Sequence, residues 1–145
     1  MTSLNAQSQK LRDAIRNGQE VVTRRSEALG QLIFCEGCCC GRTDRGFPPW
    51  PKDQIKARWK ELRLNDTIQL TISGCLGPCD VANVVFFLPA CGPGTWFGGL
   101  SELTHYESLI AWAESCQAET RLLPLIDALL PFQFQRFAGA VTQNA

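Results

Sequence analysis

Histidine, methionine and tyrosine each occur once in 145 residues, and the 14 basic and 14 acidic side chains cancel. That balance removes the electrostatic case for nucleic acid or an anionic membrane as partner. No apolar run approaches the roughly 20 residues a membrane span needs. The opening stretch, MTSLNAQSQKLRDAIRNG, is polar and has no apolar core of the kind a secretory signal carries. These absences predict a cytoplasmic protein without membrane insertion. No nucleophile–base pair, phosphate loop or pair of carboxylates stands out, and there is neither an internal repeat nor a low-complexity segment. The expectation is a protein that transforms no substrate by itself. Apolar residues make up 45% and the length suits one domain, enough to bury a core without covalent staples.

What is abundant is cysteine, with eight. Six fall in two groups: Cys35, Cys38, Cys39 and Cys40 in QLIFCEGCCCGR, then Cys75 and Cys79 in GCLGPC. In a reducing compartment they need a reason other than disulfides. Neighbouring cysteines also suit disulfides poorly, since the bond wants Cα atoms about 4.4–6.8 Å apart and a specific torsion. Metal or redox chemistry is the stronger reading.

The patterning predicts the scaffold. Residues 3 to about 28 carry a narrow apolar stripe of Leu4, Leu11, Ile15, Val22 and Leu29, interrupted by Gly18, as in a surface helix laid against the body or a partner. Gln31 to Phe34 is a short strand running into Cys35. GRTDRGFPPW is a Gly/Pro-rich loop, and Pro51 opens a helix to about Arg63 with Ile55, Trp59 and Leu62 on one face. Residues 67–73 alternate as a strand with Ile68, Leu70 and Ile72 inward. A hairpin of residues 84–89 and 95–100 follows. Then comes a helix with Thr104 and Glu107 as capping box and Leu109, Ile110, Ala113 and Cys116 inward. After about Gln117 the apolar stretch RLLPLIDALLPFQFQRF, broken by Pro124 and Pro131, reads as short helical pieces over the core or a dimer face. The order is that of an α/β protein: a thioredoxin-like mixed sheet flanked by helices, with helical N- and C-terminal extensions. We divide it as 1–29, 30–116 and 117–145.

In a βαβ unit the first two strands lie parallel and side by side, so both cysteine groups emerge at one sheet edge. Four thiolates gathered there would surround a cation. An iron–sulfur cluster takes four cysteine ligands and is stabilised by backbone N–H groups directed at sulfur. Gly74 and Gly77 around the second group, and Gly37 and Gly41 around the first, would let backbone come close. A Rieske centre, needing two histidines, is excluded. Structural zinc also takes four sulfurs, but its paired C-x2-C spacing occurs once, as Cys35–Cys38. A thioredoxin-type dithiol at Cys35–Cys38 would ordinarily start a helix and would leave Cys75 and Cys79 without a role. Buried small hydrophobes are a poor account of cysteines set among glycines and polar residues.

GCLGPCDVANVVFFL followed by GTWFGGLSELTHYESLIAW resembles the second half of the thioredoxin-like [2Fe-2S] ferredoxins, a family related to the small [2Fe-2S] subunit of respiratory complex I. The resemblance covers roughly residues 30–116. It implies an electron carrier that holds a [2Fe-2S] cluster, works with a redox partner protein and forms a homodimer. The complex I subunit has ligand spacing similar to C-x4-C, about 35 residues, then C-x3-C. On this chain that implies Cys35, Cys40, Cys75 and Cys79 as ligands, with 35 positions from Cys40 to Cys75. Free-standing members space the first two ligands more widely, and positions 41–74 hold no cysteine to match. Cys38 and Cys39 therefore stay open as second ligand. The CEGCCCGRTDRG loop is similar to a subgroup associated with cobalamin biosynthesis and cobalt insertion. The extra cysteines keep a second reading in view, a protein that handles zinc, cobalt or a labile cluster. A dithiol–disulfide oxidoreductase is the weaker third.

Among the remaining residues, His105 is expected as an ordinary exposed residue of a first helical turn. Cys91 and Cys116 are expected to be structural. Arg42, Asp44 and Arg45 are either solvated charges or a docking rim, and the four tryptophans belong to core or rim packing.

Overall fold

The structure is a computed structural model that describes residues 3–137. Its centre is β1 (Gly30–Cys35), where Leu32 and Phe34 are buried on one face and Ile33 is half-buried on the other. Alternation of this kind puts one strand face into a core. β2 (Ile68–Ser73) pairs with β1 in parallel, and α2 (Lys52–Glu61) makes the crossover between them. On the other side β1 pairs antiparallel with β3 (Val85–Pro89), which hairpins into β4 (Thr95–Phe97). With a two-residue edge strand β5 (Gln133–Phe134), the full order is β2-β1-β3-β4-β5. This is the expected mixed α/β sheet in a thioredoxin-like arrangement.

α2 and α3 (Leu103–Glu119) pack against each other. Both feed one core, in which Leu32, Phe34, Ile55, Trp59, Phe97 and Leu109 are essentially closed to solvent. Trp59 shows how the helix is keyed to the sheet. Its ring is 1% exposed, and its indole N–H donates to the Ile68 carbonyl at 2.7 Å. Burying such a side chain contributes about 1.5–3 kcal/mol, provided its polar atom is paired.

Three expectations need correction. The N-terminal helix, α1, covers Ser3–Arg16 and does not run to residue 28. Gly18 takes φ +70°, and its N–H and that of Gln19 turn back onto the Ile15 and Ala14 carbonyls, which closes the helix end. Of the predicted stripe, Leu11, Ile15 and Val22 are exposed, and the Leu4 side chain lies outside the described residues. α3 starts one residue before Thr104, with Glu102 extended as its N-cap. The reciprocal partner is His105, whose Nδ1 accepts the Ser101 and Glu102 backbone N–H groups at 3.1 and 3.2 Å. The capping box is thus Glu102/His105 in place of Thr104/Glu107. His105 is half-buried, with its ring 4.3 Å from that of Phe132.

The third correction concerns the C-terminal stretch. Pro124 and Pro131 rule out a continuous α-helix. One short helical piece is present as expected, the 3-10 helix Asp127–Phe132, but the chain reaches it irregularly and then adds an unexpected fifth strand, β5 (Gln133–Phe134), antiparallel to β4. Leu129 is fully buried in the main core, and Leu122, Leu123, Leu125 and Ile126 pack on it. The segment does cover the core, as expected, but by a route the periodicity did not disclose. Residues 138–145 of the predicted tail lie outside the described residues. Among the described residues no helix is long and apolar enough to cross a membrane.

Candidate metal centre

The register of the parallel pair decides where the cysteines go. Gly30 faces Ile68 and the ladder ends with Cys35 opposite Ser73, so both strands leave the sheet at one level. The loop after Cys35 and the loop after Ser73 therefore start side by side, and Glu36 N–H still donates to the Ser73 carbonyl at 3.1 Å. Gly37 then lies so near the second loop that a Cβ on it would sit 3.2 Å from the Cys75 nitrogen. Sequence positions 40 apart become neighbours.

Within this edge the six clustered cysteines occupy two levels, and all are free thiols. Cys35 and Cys40 lie below, 4% and 1% exposed, in a small apolar cluster with Val84 that Leu76, Trp96 and Phe134 flank. Each sulfur receives a backbone N–H, Leu76 N to Cys35 Sγ at 3.4 Å and Val84 N to Cys40 Sγ at 3.3 Å. Nearer solvent sit Cys38, Cys39, Cys75 and Cys79. Cys75 and Cys79 sulfurs are 3.1 Å apart, Cys38 and Cys79 3.5 Å, and Cys38 and Cys39 3.7 Å. Leu76, next to Cys75, joins the levels through its N–H on Cys35.

The four cysteines singled out by spacing therefore form two pairs, Cys35/Cys40 inside and Cys75/Cys79 outside. The tightest group able to grip one ion is Cys38, Cys39 and Cys79, whose sulfurs all lie within 4.8 Å of one another. Cys91 is exposed in the turn between β3 and β4, away from the site. Cys116 is buried on α3, its sulfur accepting the Leu123 N–H at 3.4 Å.

Ionisation follows position. Burial, reinforced by the adjoining Cys35 thiol, pushes Cys40 up to about 12. Cys79 is also pushed well up, chiefly by its hydrogen bonds with Cys75 and then Cys38, with burial adding to them. Cys39 is raised by burial. Cys38 goes the other way, held down chiefly by its hydrogen bond with Cys79 and less by Cys39. At neutral pH most of these sulfurs keep their protons unless a cation replaces them, and cation binding then releases protons. A set of thiols with backbone N–H groups already aimed at two buried sulfurs fits a sulfur-bound metal centre.

Several supporting residues escaped the sequence reading. Asn83, the one buried polar side chain among the described residues, accepts the Gly41 N–H on Oδ1 at 2.8 Å. Its Nδ2 donates to the Pro48 carbonyl at 3.0 Å and the Tyr106 hydroxyl at 3.3 Å. An asparagine inside the apolar run VANVVFF was the available signal. Trp50 stacks on Phe34 with ring centres 5.4 Å apart and backs Gly41, which holds φ +75°. The charges beside the loop are only partly free. Arg42 grips Asp44 through two bonds of 2.8 and 2.7 Å, holding that carboxyl down at about 2. Arg45 instead donates to the Cys38 carbonyl at 2.8 Å.

No protein-family model matches the chain, nor does any curated protein or solved structure. The geometry alone shows a cysteine cluster able to hold a metal ion.

Proposed function

We propose that the chain is an electron-transfer protein that holds a [2Fe-2S] cluster on Cys35, Cys40, Cys75 and Cys79. One observation carries the reading. The parallel register brings two cysteine loops to one sheet edge, where the buried sulfurs of Cys35 and Cys40 each accept a backbone N–H. Such hydrogen bonds stabilise negative sulfur, and with solvent exposure they tune a reduction potential. The cluster, when bound, supplies one-electron chemistry. The protein's own part is to bury two ligands, expose two, and pack Val84 and Leu76 against the buried pair. Exposed Cys75 and half-exposed Cys79 set the outer side near the surface, where a redox partner can approach. The resemblance to thioredoxin-like ferredoxins supports the same ligand set, and cytoplasmic residence, homodimer formation and a redox partner protein come with it as part of the proposal.

The deciding experiment is anaerobic purification from iron-replete cells with iron and sulfide quantitation. A red-brown protein with a paramagnetic reduced state is expected. Serine substitution of Cys35, Cys40, Cys75 or Cys79 should each abolish that signal. A colourless protein with neither iron nor sulfide would sink the reading.

A second reading, a metal- or cluster-handling protein, is favoured by the surface thiols of Cys38 and Cys39, which the four-ligand cluster leaves unused. Redox-inert metal that passes to an acceptor would select it. A dithiol–disulfide oxidoreductase has less support, because Cys35 ends a strand and the next helical turn, Thr43–Arg45, has three residues and begins beyond Cys40.

A further inference from the structure

Cys38 and Cys39 are redundant for a four-thiolate cluster, yet their sulfurs are turned toward Cys79 and not away from it. Three thiolates about 2.3 Å from one tetrahedral ion must lie about 3.8 Å from each other. The observed separations are 3.7 Å for Cys38–Cys39 and 3.5 Å for Cys38–Cys79, and the third lies within 4.8 Å. Only small side-chain adjustments separate this arrangement from a coordination triangle. Cys75 stands next to this group, 3.1 Å from the Cys79 sulfur, but its sulfur is not within 4.8 Å of all three. Cys38 is exposed, which gives an ion direct access. The Arg45 guanidinium, tied to the Cys38 carbonyl, sits beside three sulfurs that turn negative only when an ion displaces their protons.

We propose that Cys38, Cys39 and Cys79 form a second, single-ion site for a thiophilic divalent cation such as Zn2+, filled when the cluster is absent. Cys79 belongs to both sites, so the two occupancies exclude each other. The run of three cysteines then provides an outer ligand pair, Cys38 and Cys39, and an inner cluster ligand, Cys40. Each bound cation displaces thiol protons to solvent, and no oxidation or reduction is involved. The three-thiolate site stands without the cluster reading, and only the exclusion rests on it.

Co2+ serves as a visible probe. Titrating the reduced, cluster-free, full-length chain under anaerobic conditions should give thiolate-to-cobalt charge-transfer absorption that saturates at one ion per chain, and Zn2+ should bleach it. Cys38→Ser and Cys39→Ser should each weaken binding by about tenfold or more, whereas Cys91→Ser, at an exposed thiol in the turn between β3 and β4, should leave it within about twofold. Circular dichroism of the three variants checks that each retains the fold. Undiminished binding in Cys38→Ser and Cys39→Ser overturns the proposal, as does equal loss in Cys91→Ser. A cluster-loaded chain should give no cobalt signal, and one that still binds cobalt through thiolates overturns the shared role of Cys79. Absence of iron and sulfide in the purified protein sinks the cluster reading but leaves the cobalt titration able to succeed or fail alone.

Discussion

Asn83 Oδ1 accepts the backbone N–H of Gly41 at 2.8 Å, and this bond fastens the end of the first cysteine loop to the segment entering β3. The same side chain reaches the Pro48 carbonyl and the Tyr106 hydroxyl, so one 2%-exposed amide ties the loop to α3. In a site of low polarity these bonds are individually modest, but leaving their partners unpaired is expensive.

Asn83→Ala should therefore cost about 2–3 kcal/mol, since it strands the Gly41 N–H and Pro48 carbonyl in the interior. For a chain of this size that is a fall in melting temperature of roughly 5–10 °C. Tyr106→Phe removes the hydroxyl alone, which also donates to the Leu100 carbonyl at 3.4 Å, and should cost about 1 kcal/mol. Thermal melts with metal content measured in parallel check both. Equal, negligible shifts for the two variants would dismiss the anchoring role of Asn83.

The two loop glycines should respond differently. At Gly41 an alanine would need φ near +75° and would put Cβ 2.7 Å from Trp50 Cδ1, displacing the ring from Phe34. We expect about 1–3 kcal/mol of destabilisation. At Gly37 the added methyl meets the Cys75 nitrogen at 3.2 Å, with no unusual φ. Gly37→Ala should barely move stability while weakening metal retention by pushing the loops apart. Chemical denaturation and a chelator competition separate the two effects.

How far these features can be read from sequence depends on where their cause lies. The βαβ unit, the hairpin and the convergence of the cysteine loops follow from period-2 and period-3.6 patterning, which a chain of this length must satisfy to bury Leu32, Trp59 and Leu109. The vertical sorting of the cysteines was not legible, because adjacent residues carry no signal of which points in. Cys40 is buried and Cys38 exposed owing to the backbone turn at Gly41 and the Val84 N–H, both tertiary. β5 was hidden for a similar reason. Two residues of strand are too short for a period, and their pairing is set by the β4 edge they cover. The misplaced capping box arose from a pattern rule that expects Ser or Thr followed by Glu, whereas here an imidazole nitrogen fills the role.

Alkylation should distinguish the neighbouring surface thiols in the cluster-free chain. Cys38 is held below the usual thiol range by Cys79, and Cys39 is raised by burial. Thiolate is the reactive form, so the rate of Cys38 modification should rise at lower pH than that of Cys39. Peptide mapping after short iodoacetamide pulses across a pH series gives both profiles. Coincident profiles would contradict the Cys38–Cys79 hydrogen bond.

Alkaline pH should loosen the same metal-free protein. The folded Cys40 thiol titrates at about 12, while the unfolded one ionises in the ordinary range near 8.5. Its contribution to stability is fully present below the unfolded value and is lost as pH rises through the folded one, and Cys79 acts with the same sign. Denaturant midpoints should fall from about pH 9 upward, and Cys40→Ala should flatten that fall. A midpoint that stays level to pH 11 would refute it.

Finally, two apolar residues of the C-terminal stretch should separate folding from metal retention. Leu129 is fully closed to solvent in the main core and distant in packing from the sulfurs, so Leu129→Ala should cost about 2–5 kcal/mol. Metal affinity of the fraction that remains folded should be unchanged. Phe134, on β5, is only half-buried and flanks the Cys35–Cys40–Val84 cluster, with its ring 6.0 Å from that of Trp96. Phe134→Ala exposes less of the core and should cost about 1–2 kcal/mol, but it opens the wall beside two buried sulfurs to water. Solvent access bears on both the lifetime and the potential of a sulfur-bound centre. The expected signature is faster metal loss to chelator and air in Phe134→Ala at a temperature where Leu129→Ala, though less stable, loses metal no faster than its unfolded fraction accounts for. If metal loss in both variants simply follows global stability, β5 serves the fold alone and has no part in sheltering the centre.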